Sequence, residues 1–209
     1  MTGQPRFAPV ASVDELKSLY GEPGEASLLK VADRLTPGYR ALVEASPFFM
    51  LATCGPEGLD CSPRGELGGA VHILDDRTLV IPDRRGNNRI DSLSNIVRDP
   101  RVAMLFLIPG SHTTVRLNGT ACVTADAGLL ESLAHEGKAP RSAVVITIGE
   151  IYTQCGRAVI RARLWDPDCH ADAPALPTPG DILKEMSAGA FDGESYDREW
   201  PGRAAKTMW

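Results

Sequence analysis

The chain has 209 residues, 43% of them hydrophobic and 23% charged, with a net charge of −5 and a pI near 5.4. These values are ordinary for a soluble globular protein and fit one domain, or one domain with long terminal extensions. The acidic balance argues against a broad basic face, and so against general nucleic-acid or anionic-membrane binding.

Five cysteines (Cys54, Cys61, Cys122, Cys155, Cys169) form no C-x-x-C and share no zinc-type spacing with the four histidines. No metal site is expected. Cysteines used mainly as small buried residues suggest a reducing, cytoplasmic setting. The start, M-T-G-Q-P-R-F, has no charged stretch leading into an apolar core, so no signal peptide is predicted. No apolar run approaches the ~20 residues of a spanning helix.

Residues 1–46 read as a helical segment packed on the domain that follows. Ser12 with Glu15 is a capping box, and Gly21 can end that helix. Leu28, Leu29, Ala32 and Leu35 form a second apolar face. Thr36 and Pro37 supply an N-cap and a first helical residue for a third helix.

Residues 47–165 are strand-rich. The run 48–54 and its return 59–64 flank the turn Gly55-Pro56-Glu57-Gly58. Strands 71–74 and 78–81 flank Asp75-Asp76-Arg77. The pattern predicts a helix over 88–98, with Ile90, Leu93, Ile96 and Val97 on one face and Asp99-Pro100 as its end. Strands over 101–108 and 113–124, a helix over 127–136 and a buried strand over 143–148 follow. From residue 166 the chain is rich in Pro and Asp and predicts an extended arm, with a short helix over 180–188 and Trp200 and Trp209 near its end. An arm with aromatic anchors suits wrapping a partner subunit. Short strands with interspersed helices predict a mainly β fold, a closed antiparallel barrel with helices at its rim.

The chemistry concentrates between Asp60 and Val102. D-C-S-P-R-G-E places one arginine on a strand, and I-P-D-R-R-G-N-N-R crowds three more around a Gly/Asn turn that opens a helix. Guanidinium forks match phosphate oxygens in two-point geometry. A helix N-terminus adds free N–H groups and partial positive charge. Arg84 and Arg85 are adjacent, so one meets the phosphate while the other is solvated or pairs with Asp83. Asn88 can cap the helix, donate its amide to the phosphate, or both. Arg89, read as lying in the first helical turn, opposes the helix dipole unless an anion sits there. No paired carboxylates, G-x-S-x-G, H-E-x-x-H or Walker loop is present. A chain without its own catalytic constellation fits one whose cofactor supplies the chemistry.

Four pieces in order, S-P-R-G, I-P-D-R-R-G-N-N-R with L-x-N-I behind it, D-P-R-V-A-M-L-F and T-V-R-L-N-G-T-A, resemble the pyridoxamine 5'-phosphate oxidase-like flavoproteins. The run I-Y-T-Q-C-G-R-A-V-I-R-A-R-L-W-D-P suggests a subgroup of them. The resemblance implies an FMN-binding split β-barrel of Greek-key-like antiparallel strands and a homodimer with FMN at the subunit interface. It implies FMN contacts from Ser62, Pro63 and Arg64 on one strand. Ile81 and Pro82 would face the isoalloxazine through their backbone, and Arg84, Asn88 and Arg89 would hold the phosphate. Thr114 and Trp165 would reach the flavin held by the other subunit. The implied activity is FMN-dependent oxidoreduction of a small substrate. A deazaflavin or haem in place of FMN, or a non-catalytic flavin carrier or sensor, are the alternatives. Two departures matter: G-N-N-R stands where the family commonly has Ser or Thr before a basic pair, and Gln154 stands where subgroup relatives often have His. The substrate-gripping arginine and histidine of the vitamin oxidase are not recognisable, so pyridoxamine phosphate oxidation itself is not expected.

Overall fold

A computed structural model describes residues 7–86 and 88–208. Asn87 of the G-N-N-R turn and Trp209 lie outside the described residues. The chain divides into two compact units at residues 31 and 32.

In the first unit, α1 (Val13–Tyr20) and α2 (Glu25–Leu29) are short helices. Ser12 caps α1 by accepting from the Glu15 N–H at 3.1 Å. The Glu15 carboxylate accepts from the N–H of Ala11, one residue before the cap. Gly21 ends α1 at φ 71°, a conformation that favours glycine.

The second unit is built on seven antiparallel strands: β1 (Phe48–Gly55), β2 (Gly58–Gly65), β3 (His72–Ile73), β4 (Thr78–Pro82), β5 (Arg101–Leu107), β6 (Thr114–Thr124) and β7 (Ala143–Gln154). Their order is β2-β1-β5-β6-β7-β4-β3. The mainly β architecture with helices around it is the one the strand pattern predicts. No ladder among the described residues joins β2 to β3 or β4. The barrel is therefore split, with a seam where β2 and β4 are not hydrogen-bonded neighbours.

The main core lies on one face of this sheet, and a smaller cluster of Val80, Leu130, Leu133 and Ala143 is separate from it. Phe49, Leu51, Leu79, Phe106, Val115, Leu117, Ile146 and Ile151 are fully buried, and Phe49 and Phe106 meet at a centroid distance of 5.3 Å. Helix α3 (Pro37–Glu44), capped by Thr36 as the sequence suggests, adds Val43 to this core.

Strand β7 runs to Gln154, six residues past its predicted end. The alternation along it explains why: Val144, Ile146 and Ile148 are buried, then the phase slips by one and Ile151 is buried. The slip is a β-bulge, because Asn118 pairs with Glu150 while Gly119 pairs with Ile148, leaving Gly149 as the extra residue. A period-two reading stops at such a point.

The helix predicted over 88–98 is α4 (Asp91–Arg98), and its N-cap residue is Ile90, with no side-chain cap. Asn88 therefore does not cap the helix, and Arg89 precedes its first turn. Ile90 and Val97 are exposed; the covered side carries Ser92, Asn95 and Ile96. That face is polar because it packs on β1 and β2 through hydrogen bonds. Asn95 donates to Thr53 at 3.2 Å, and Ser92 bonds Ser62 at 2.9 Å as well as Asp60.

Helix α5 (Ala127–Ser132) is shorter than predicted, and a short α6 (Arg157–Arg161) follows β7. The C-terminal segment is not an extended arm. It contains 3-10 turns at Pro167–Cys169 and Ala173–Ala175, then α7 (Pro179–Met186) and α8 (Gly193–Thr207). Thr178 and Asp181 form a full capping box on α7, and Asp192 caps α8. Polar and small residues dominate α8, so it carries no apolar period to read. Cysteine usage also differs from expectation: Cys61, Cys122, Cys155 and Cys169 are exposed. Cys61 and Cys122 fall on the outward phase of their strands. Among the described residues, no helix is long and apolar enough to cross a membrane.

Candidate functional site

The seam between β2 and β4 is where the site forms. Strand β2 is an edge strand with alternating exposure: Asp60, Ser62 and Arg64 are half-buried, while Cys61, Pro63 and Gly65 face out. An edge position tolerates Pro63, which has no N–H to give to a ladder. Side chains, not backbone, cross to the end of β4. Arg64 Nη1 donates to Asp83 at 3.2 Å. Arg84 donates from Nε and Nη2 to both oxygens of Glu66, each at 3.1 Å. Its Nη1 donates to the Leu133 carbonyl at 2.9 Å.

A cavity of about 760 Å³ opens here. It is lined by Ser62, Pro63 and Arg64 of β2, by Asp83, Arg84, Arg85, Gly86, Asn88, Arg89 and Ile90 after β4, and by Ser92 and Leu93 of α4. The loop before β7 adds Lys138, Ala139, Pro140, Arg141 and Ser142, and α8 adds Trp200. Six of its described lining residues are cationic and one, Asp83, is a carboxylate. In a chain of net charge −5, this is a local concentration of cations, although Arg64, Arg84 and Arg89 are paired with Asp83, Glu66 and Asp91.

The cations differ in what they already hold. Arg84 has each guanidinium nitrogen engaged by Glu66 or Leu133. Arg89 pairs with Asp91 at 2.8 Å, in the first turn of α4. Arg141 donates to the Asn88 side-chain oxygen at 3.2 Å, joining the β7 loop to the β4–α4 turn. Asn88 takes φ 61°, the left-handed conformation that asparagine tolerates better than most residues. Arg64 keeps a buried Nε with no hydrogen-bond partner. A buried unpaired donor costs free energy unless a ligand or water completes it.

Of the ten residues expected to bind a cofactor, Ser62, Pro63, Arg64, Arg84, Asn88 and Arg89 gather at this cavity. Ile81 and Pro82 are buried on β4 immediately before it. Thr114 is buried at the start of β6, and Trp165 donates its indole N–H to the Ser111 carbonyl at 2.7 Å; neither lines the cavity. Sequence reasoning misses Lys138, Arg141 and Trp200. K-A-P-R just before a buried strand is a readable signal for the first two, because Asp83 N–H bonds the Ser142 carbonyl and draws that loop to the β4 end. Nothing local marks Trp200.

His72, on β3, sits near the same ion pairs. Burial pushes its imidazole below the ordinary value; Glu66 opposes this and Arg84 reinforces it. The unfolded chain therefore binds the proton more readily than the folded one. Stability should be full above the ordinary histidine pKa of about 6.5, fall as pH drops through it, and level off below the depressed folded value. Denaturation midpoints between neutral pH and about pH 5 should show a shallower fall in His72→Gln than in the parent. Equal slopes would rule His72 out as the source.

Residues 35–155, more than half of the chain, match the pyridoxamine 5'-phosphate oxidase family. No curated protein matches the chain significantly in sequence. Among solved structures, Group A Streptococcus HupZ shares 17% identity over 58% of this chain and 94% of its own, with a TM-score of 0.48. A Lactobacillus delbrueckii protein proposed to be a pyridoxamine 5'-phosphate oxidase shares 24% identity over 58% of this chain and 95% of its own, also at 0.48. An F420 reductase shares 20% identity over 57% of this chain and 98% of its own, at 0.42. The strand-turn-helix that builds the cavity lies inside the matched span, and the chain belongs to the pyridoxamine 5'-phosphate oxidase family.

Proposed function

We propose that this protein is an FMN-dependent oxidoreductase that binds the cofactor at the β2–β4 seam of a homodimer and acts on a small substrate. The observation that carries this is the cavity lining, six cations against one carboxylate in an otherwise acidic chain. A phosphate monoester dianion suits that lining, and a helix entrance beside it adds partial positive charge. Arg89, Asn88 and Arg141 are the residues assigned to the phosphate. Arg64, with Ser62 and Pro63, is assigned to the length of the cofactor, and its unpartnered Nε fits an acceptor on the ligand. Arg84 is assigned to the wall, since Glu66 and Leu133 hold its guanidinium. The backbone at Ile81 and Pro82 faces the ring, and Thr114 and Trp165 reach the flavin of the second subunit in this reading. Bound FMN would supply electron or hydride transfer at N5; the chain's own part is to bind, orient and place positive charge near a ring that becomes anionic on reduction.

The absorption spectrum of the purified protein, with mass analysis of any released chromophore, tests the cofactor. A colourless protein that takes up no added FMN would sink the reading. The phosphate assignment has its own test. Arg89→Ala and Arg141→Ala should each weaken FMN by about tenfold or more and riboflavin far less, since charge-assisted hydrogen bonds are lost only with the phosphate. Equal loss for both ligands would refute it. A monomer in sedimentation with FMN bound would refute the two-subunit site.

One observation favours a second reading. The cationic lining extends past the β4–α4 turn to Lys138 and Arg141, which suits a deazaflavin with a longer anionic tail. The mass of the released chromophore decides between the two.

A further inference from the structure

We propose that Trp200 is a specificity-determining residue of the cationic cavity, forming an aromatic wall that stacks on the planar ring of the ligand whose anionic end the arginines hold. The proposal rests on the flavin reading above. Trp200 lies well beyond the matched span, which ends at residue 155, so nothing in that match assigns it a role.

Among the described lining residues Trp200 is the one aromatic side chain. It is 55% exposed, so it does not serve as core packing. A large ring left open beside a charged cavity is poorly placed in water and well placed to cover an apolar ring face. The cationic lining groups suit a phosphate, and the other apolar lining residues, such as Pro63, Leu93 and Pro140, are small or aliphatic and present no aromatic face.

The helix that carries Trp200 is held in place. Gly180 of α7 and Gly193 of α8 approach so closely that a Cβ on either would lie 2.2 Å from the other's carbonyl oxygen. Asp197 accepts from the Gly180 N–H at 2.9 Å and from the Thr178 hydroxyl. Asp197 stands one turn before Trp200, so the clamp fixes the indole relative to α7. Pro201 follows directly and has no N–H to return to the Asp197 carbonyl, which loosens the ladder at that turn. The Arg203 guanidinium lies over the Trp200 ring at 5.8 Å and over Tyr196 at 4.5 Å, orienting the indole from one face.

The test compares the full chain with Trp200→Ala and Trp200→Phe in equilibrium dialysis with FMN and in competition by inorganic phosphate. Trp200→Ala should weaken FMN roughly ten- to a hundredfold, the scale of losing one ring-stacking contact, and leave the inhibition constant of phosphate unchanged. Trp200→Phe should recover most of the loss. The FMN-induced quenching of tryptophan emission should shrink in both variants. FMN bound equally by all three proteins, or an inhibition constant of phosphate raised in parallel with that of FMN, would overturn the role of Trp200 while leaving the flavin reading intact. A parent protein that binds no FMN would overturn the flavin reading itself, and this proposal with it.

Discussion

Replacing Glu66 with alanine is expected to remove about 3–5 kcal/mol of stability, because it strands a largely buried guanidinium. Glu66 and Arg84 side chains are only 13% and 18% exposed, and they meet through two parallel hydrogen bonds of 3.1 Å. The pair joins the residue after β2 to the loop after β4, across a seam that has no backbone ladder. With Glu66 gone, Arg84 loses its two carboxylate hydrogen bonds in a largely desolvated position. Arg84→Ala should destabilise comparably, from the other side. A double variant, Glu66→Leu with Arg84→Met, should recover much of either loss, since apolar side chains of similar volume often replace a buried pair at little cost. Urea denaturation of the four proteins compares the losses. A Glu66→Ala variant within about 1 kcal/mol of the parent would mean the seam is wet enough to solvate Arg84. The functional consequence is separable: Arg84→Ala should lower stability and ligand affinity together, whereas Arg141→Ala should lower affinity alone.

That contrast also marks where sequence reading stops. S-P-R-G and I-P-D-R-R-G-N-N-R are contiguous, so their strand-turn character and cationic density are visible without coordinates. What each arginine holds is not, because the answer lies in partners distant along the chain: Glu66 for Arg84, Asp83 for Arg64, Asn88 for Arg141. The covered face of α4 escapes the apolar period for a related reason. Its Ser92 and Asn95 are polar, and only their bonds to Asp60, Ser62 and Thr53 turn polar residues into buried ones. Trp200 is beyond reach since α8 carries no apolar period, and α8 is placed by a glycine contact with α7 rather than by a readable apolar face. The strands of the core are legible one by one and in their three hairpins, since alternation and turns are local; the pairings of β1 with β5, β6 with β7 and β4 with β7 join distant segments and are not. Alternation itself fails in β7 past Gly149, where the bulge breaks it.

The same bulge carries the second large effect. Gly119→Ala should cost roughly 3 kcal/mol or more, while Gly149→Ala, on the facing strand, should cost far less. A Cβ on Gly119 would stand 2.2 Å from the Thr147 carbonyl oxygen, a backbone atom of the paired strand. No side chain can rotate away to relieve it; β7 itself would have to move, at a position where it is hydrogen-bonded to β4 as well as β6. A Cβ on Gly149 would meet the Asn118 carbonyl oxygen at 3.3 Å, close but within reach of a shift of a few tenths of an ångström. Gly119 thus belongs to T-V-R-L-N-G-T-A for a steric reason: without it the strands cannot absorb an extra residue and keep both Ile148 and Ile151 in the core. The strand so positioned starts at Ala143, paired with Pro82, and its lead-in loop brings Lys138 and Arg141 to the cavity. Denaturation midpoints of the two alanine variants test the argument directly. Equal, small losses would show that the β6–β7 ladder yields at the bulge. A large loss confined to Gly119→Ala would show that the bulge is held from both sides, and that the register placing the β7 loop at the cavity is fixed by the absence of one side chain.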